Sequence, residues 1–203
     1  NLSALTDLKK AGKIRLAGTS NETSWGLMKG LWSSDRHHLD RMETVQNNFS
    51  LINRRCESEL AQICRQEQVS LLPYSPLGGG VLCGKYQGGA FPEGARFSIY
   101  MSLGRERQKK MVQRFVNDRT LAVVDRVQAV ADSIGMNLTT LATAWSKQHD
   151  FVASTIIGAS HVDQLQQSLA AADLDLDCET MERLAVLEDE IPNAMPEDGL
   201  RRL

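Results

Sequence analysis

LLPYSPLGGGVLCGKY, residues 71–86, decides how this chain is read. An apolar run ends in Pro-Tyr-Ser-Pro and opens straight into Gly78, Gly79 and Gly80, with Gly84-Lys85 close behind. A buried strand ending in such a turn can bring bare backbone amides up to an anion, because glycine reaches positive φ without steric cost. Lys85 can add a point charge, and Arg96 stands where the next loop could return a fork of donors. The stretch is not a P-loop, since Gly84-Lys85 is followed by Tyr86 and not by a hydroxyl residue of the GxxxxGK[ST] type. Two plainer alternatives stand beside this one. A triple glycine after a strand is also a generic tight turn, and Tyr74 is either a core aromatic or a flat face on which a planar ring could stack.

Working outward, four segments have the short apolar character and flanking turn residues of buried strands: 14–20 (IRLAGTS), 44–50 (TVQNNFS), 70–76 (SLLPYSP) and 152–158 (VASTIIG). Helical patterns separate them, at 2–11, 57–66, 120–134, 139–148, 162–172 and 179–191. Gly12 and Gly135 serve as C-terminal stops. Alternating strands and helices predict right-handed βαβ units around a parallel sheet, in one domain over 1–203. The stretch 88–120 reads as long and irregular, and such insertions often act as lids. Its run of Arg105, Arg107, Lys109, Lys110 and Arg114 is either a solvated helix face or a phosphate-attracting cover.

Two further clusters carry possible chemistry. Ser20 and Asn21 end the first strand and Gln46 lies in the second, small amide and hydroxyl groups suited to a carboxamide. The sequence Asn-Glu-Thr-Ser from Asn21 is equally a good helix N-cap region, whereas a buried Gln46 needs partners. In GASHVDQLQQSL, residues 158–169, a strand end meets a helix N-terminus, a natural anion site. His37, His38, His149 and His161 fall in loops or helix ends and are expected at the surface.

Composition excludes several classes. With 23 basic against 25 acidic residues and a net charge of −2, nothing invites nucleic acid or an anionic membrane. No apolar run approaches transmembrane length. Cys56, Cys64, Cys83 and Cys178 form no CxxC pair, so neither zinc nor a redox dithiol is signalled, and scattered thiols suit a cytoplasmic location. The chain opens on Asn1, not Met, which leads us to expect processing or a piece of something longer.

In order along the chain, KIRLAGTSN, TVQNNFSLINR, LLPYSPLGGGVLCGKY and STIIGASHVDQLQQSL resemble the C-terminal half of an aldo-keto reductase. The NETSWGLMK stretch is similar to the bacterial Tas-like members, with potassium-channel β subunits somewhat further off. The resemblance implies half of a (β/α)₈ TIM barrel, about four parallel strands with their helices, and NADP(H) as cofactor. It implies that Ser20, Asn21 and Gln46 hold the nicotinamide carboxamide and that Tyr74 stacks on its ring. Ser75, Pro76, Leu77, Gly78 and Gly79 then line the pyrophosphate path, with charge from Lys85 and Arg96. Gly158, Ser160 and Gln164 sit around the adenosine and its 2′-phosphate. Gln167 and Ser168 stand where the family usually has Glu-Asn, so contacts to the adenine amine are expected to be shorter or lost.

The family's catalytic Asp, Tyr, Lys and His lie on the first four strands, and no residue of this chain maps onto those roles. The expectation is therefore either an NADPH-dependent reductase of aldehydes and ketones, or its cofactor-binding half. The alternative is an inactive half-barrel that binds a dinucleotide or pairs with a second copy through its open sheet. A regulatory binder like the channel subunits rests on fold analogy alone.

Overall fold

The computed structural model describes residues 2–197. Three short strands, β1 (Gly18–Ser20), β2 (Thr44–Gln46) and β3 (Ser70–Leu71), form a parallel sheet in sequence order. The helices are α1 (Leu2–Lys10), α2 (Ser24–His37), α3 (Glu59–Glu67), α4 (Arg96–Ser102), α5 (Glu106–Phe115), α6 (Asp118–Ser133), α7 (Leu138–Lys147), α8 (Asp163–Leu169) and α9 (Cys178–Glu190). The chain is thus α/β with a small parallel sheet, and the strands are shorter than the sequence pattern predicts.

The fourth expected strand, 152–158, is present only as bridges from Val152 to Leu71 and from Ile156 to Tyr74. The cause is Pro73. Along residues 71–74 the amides alternate sides, Leu71 N–H donating to Phe151 O (2.8 Å), Leu72 to Val45 O (2.8 Å) and Tyr74 to Asn47 O (3.0 Å). Residue 73 is due to donate toward 152–156, and proline has no N–H to give. That side therefore keeps Ala153 N–H to Leu71 O and Ile156 N–H to Pro73 O but loses the rung between them.

Val45 and Leu71 are fully buried beneath the helices. Caps delimit the elements: Thr23 accepts from Gly26 N–H at the start of α2, Asn117 forms a capping box on α6, and Asn137 and Asp177 open α7 and α9. Helix α2 begins where the Asn-Glu-Thr-Ser reading puts a helix N-cap, at Thr23, but its body is not among the predicted helices, because buried Leu27 and Leu31 share it with exposed Trp25, Met28 and Trp32, which blurs the stripe. The 88–120 stretch likewise contains α4 and α5 and is not irregular throughout.

Helix α7 is buried along nearly its whole length, hydroxyls included. Its polar groups are satisfied from within: Thr143 Oγ1 donates to Thr139 O (2.8 Å) and Thr140 Oγ1 to Gln167 O (2.8 Å). Beside it, Trp145, Phe49, Phe151 and His149 form one aromatic cluster, with His149 4.7 Å from Trp145 and 5.1 Å from Phe49 between centroids. His149 is therefore not a surface residue. Its Nε2 is buried without a hydrogen-bond partner among the described residues.

The glycine turn is built for packing. Gly78 has φ +56°, and a Cβ there would lie 2.6 Å from Ile52 Cδ1; one on Gly79 would lie 2.6 Å from the Phe97 ring. The Gly78 and Gly80 amides donate to Ser75 O and Leu77 O, both at 2.9 Å, so these two are spent inside the turn. We expect Gly78→Ala to cost about 2–3 kcal/mol, combining left-handed strain with overpacking. Gly88→Ala, at φ +63° with nothing within 4 Å, should show the strain alone. Urea unfolding of both variants checks this, and equal costs would mean that Ile52 gives way freely.

Burial, followed by the charge of Arg54, holds His149 well below the ordinary imidazole range, at about 4; Asp150 opposes this and Arg65 adds to it. The unfolded chain therefore binds more protons between about pH 6.5 and 4, so stability rises with pH across that window. Stability on the order of 2–3 kcal/mol should be fully present above pH 6.5 and drain away as pH falls through 4. Urea melts across that range should show the slope, and His149→Leu should flatten it.

Candidate functional site

At the carboxyl ends of the strands lies a groove of about 790 Å³. One wall is the segment after β3, with Ser75, Pro76, Leu77, Gly79, Gly80, Cys83 and Lys85, continued by Ala95, Arg96, Ile99 and Tyr100. The other is the segment from Ile156 to Ser160 with Gln164, Gln167 and Ser168. Tyr74 and Ile156, bridged through their backbones, join the two walls. Helix α7 contributes Thr139.

The structure brings most of the sequence-predicted residues together here: Tyr74, Ser75, Pro76, Leu77, Gly79, Lys85, Arg96, Gly158, Ser160, Gln164, Gln167 and Ser168 all line the groove. Ser20 and Asn21 adjoin it through one contact, the Tyr74 hydroxyl donating to Asn21 Oδ1 at 2.7 Å. Asn21 Nδ2 in turn donates to Ser20 Oγ at 3.2 Å. Gly78 is buried under Ile52 and is absent from the lining. Gln46 is half-buried and outside the lining too; its carbonyl accepts the Asn21 amide at 2.9 Å.

The buried amide that organises this corner is Asn47, which sequence reasoning missed. Its Oδ1 accepts Glu22 N–H (3.0 Å) and its Nδ2 donates to Glu22 O (2.9 Å). That clamp fixes the turn in which Asn21 sits at φ +53°, a conformation asparagine tolerates better than most residues. The consecutive amides after β2 were the available signal.

Charge is distributed unevenly. Lys85 is half-buried and folds across Gly80, where a Cβ would meet its Cε at 3.2 Å and its Nζ at 3.4 Å. Glycine at position 80 is what lets the ammonium lie against the main chain inside the groove. Arg96, the first residue of α4, is exposed on the same wall. None of Arg105, Arg107, Lys109, Lys110 and Arg114 reaches the lining: they belong to the outer side of α5 and its approach, where Lys110 pairs with Glu106 and Arg114 donates to Pro196 O.

The opposite wall differs from the helix-terminal anion site the sequence suggests. Helix α8 begins only at Asp163 and has seven residues. Ser160 N–H and Oγ–H both point to Gln164 Oε1, at 3.1 and 3.3 Å, so the loop satisfies its own donors. Thr140 holds the far end of this wall through Gln167 O. Among the described residues no cluster of His, Cys, Asp or Glu could hold a metal, and no helix is long and apolar enough to cross a membrane. Buried Cys64 has its thiol pushed up to about 11 by desolvation and is inert as a nucleophile at neutral pH.

The family model described as the aldo/keto reductase family matches residues 1–189. Protein tas of Escherichia coli K12 is 40% identical over 178 residues, 86% of this chain and 48% of that protein. A probable voltage-gated potassium channel subunit beta of Arabidopsis thaliana is 30% identical over 158 residues, 77% of this chain and 46% of its own length. Versiconal hemiacetal acetate reductase of Aspergillus parasiticus is 28% identical over 199 residues, 96% of this chain and 53% of that enzyme. The chain spans about half the length of these relatives. With the family model covering nearly all of it, the chain belongs to the aldo/keto reductase family.

Proposed function

We propose that this chain supplies the cofactor groove of an oxidoreductase that interconverts carbonyls and alcohols with a nicotinamide dinucleotide, NADP(H) by family resemblance. The observation that carries the proposal is the groove's composition. An aromatic ring and an exposed Ile156 lie at its floor, and two cations and a glycine-backed main chain lie on one wall. All of this sits at the carboxyl ends of parallel strands, where α/β folds bind their ligands. The donor set fits such a molecule: Lys85 and Arg96 suit a pyrophosphate, and Tyr74 with Ile156 suits a flat ring.

When bound, the dinucleotide supplies or accepts the hydride. The residues here bind and orient. The Tyr74 hydroxyl donates to Asn21, which restrains the ring of this lining residue. Lys85 and Arg96 neutralise phosphate charge. We further infer that the sheet is one half of a closed barrel. Its strict sequence order and all-parallel pairing support this, as does the run of bridges that continues it past β3.

Titration of reduced NADPH, followed by its nicotinamide fluorescence, tests the proposal directly. The purified protein should quench or shift that fluorescence, and Lys85→Gln should weaken binding about tenfold, the worth of one partly exposed charge-assisted bond. Tyr74→Ala should weaken it by several-fold through lost stacking, at about 0.5–1.5 kcal/mol. No response at millimolar NADPH would sink the proposal. Turnover of 4-nitrobenzaldehyde with NADPH reads the chemical step separately from binding.

A further inference from the structure

We propose that the groove gains nothing from a phosphate on the adenosine ribose, so that NADH binds about as well as NADPH. This rests on the groove being a nicotinamide dinucleotide site, and it concerns the wall at 157–168, to which resemblance assigns the adenosine end.

Three independent features of that wall converge. First, it has no cation: between Lys147 and Arg183 the chain carries no lysine or arginine. Lys147 is itself engaged, its Nζ donating to Ala172 O at 2.6 Å and lying 3.8 Å from Asp175. Second, the obvious neutral donors are already taken. Ser160 gives both its amide and its hydroxyl to Gln164 Oε1, so an incoming phosphate must displace that carboxamide to reach them. Third, the helix behind the loop is a single short segment with Asp163 in its first turn, which puts negative charge where an anion site would want positive. His161 is the remaining basic residue of the loop, and its side chain is exposed.

The groove's two cations, Lys85 and Arg96, belong to the opposite wall, on the segment after Tyr74. Resemblance assigns them to the pyrophosphate, which NADH and NADPH share. A ribose 2′-phosphate carries close to two negative charges at neutral pH, and desolvating it against a wall of amides and hydroxyls returns little.

The test compares dissociation constants of NADH and NADPH by nicotinamide fluorescence under identical buffer conditions. The expected result is NADPH no more than about fivefold tighter than NADH, the most that one exposed ion pair supplies. A larger NADPH preference overturns the inference. Ala159→Arg places a guanidinium on the wall without removing a recorded contact; it should tighten NADPH about tenfold and leave NADH unchanged. If it tightens neither while both bind, the adenosine lies elsewhere and the inference fails. Lys85→Gln should weaken both dinucleotides by the same factor, and a greater loss for NADPH would assign the 2′-phosphate to Lys85 and overturn the inference. If neither dinucleotide binds, the assignment of the groove falls first and this inference with it.

Discussion

Hydrogen bonding on both sides of residues 71–74 is the constraint from which the rest of the molecule follows. Leu72 and Tyr74 donate toward β2, while Leu71 donates toward the 151–156 segment and receives from it. That double attachment makes this stretch the spine of the sheet and fixes Tyr74 at its end. Everything in the groove is then placed relative to one aromatic ring. The turn after it carries Lys85 to one side, the bridged partner segment carries Gln164 to the other, and Asn21 meets its hydroxyl from the first strand.

Packing does most of the remaining positioning. Gly78 and Gly79 admit Ile52 and Phe97 at distances no other side chain allows, so the turn is pressed onto the core and holds one shape. The glycines that suggested an amide cradle act chiefly as absences of volume. The positive charge on this wall is carried instead by Lys85, just past the turn, and Arg96, at the start of α4.

Much of this was legible in the sequence because it depends on local chemistry. The strand ending at Tyr74, the turn, Lys85 and the order of βα units follow from apolar runs, glycine and proline placement and periodicity. What was not legible depends on distant partners. Asn47 looks like any amide until Glu22 is seen on both of its polar atoms. His149 looks like a loop residue until Phe49, 100 positions earlier in the chain, packs against its ring. Ser160 looks like an open donor until Gln164 turns back upon it. The body of helix α2, beyond its legible N-cap, is hidden for a different reason: its exposed tryptophans carry the hydrophobic signal to the wrong face.

The rung missing at Pro73 has a consequence for how this groove can change over generations. The two walls hang from neighbouring segments joined by a few backbone hydrogen bonds and not by a continuous ladder, so a short stretch of main chain ties them together. Helix α7 touches both, with Thr139 in the lining and Thr140 tied to the far wall. A methyl group gained or lost along this buried helix is felt by the core and the cleft together. Cleft shape and fold integrity therefore share the residues of one helix, and neither changes without the other.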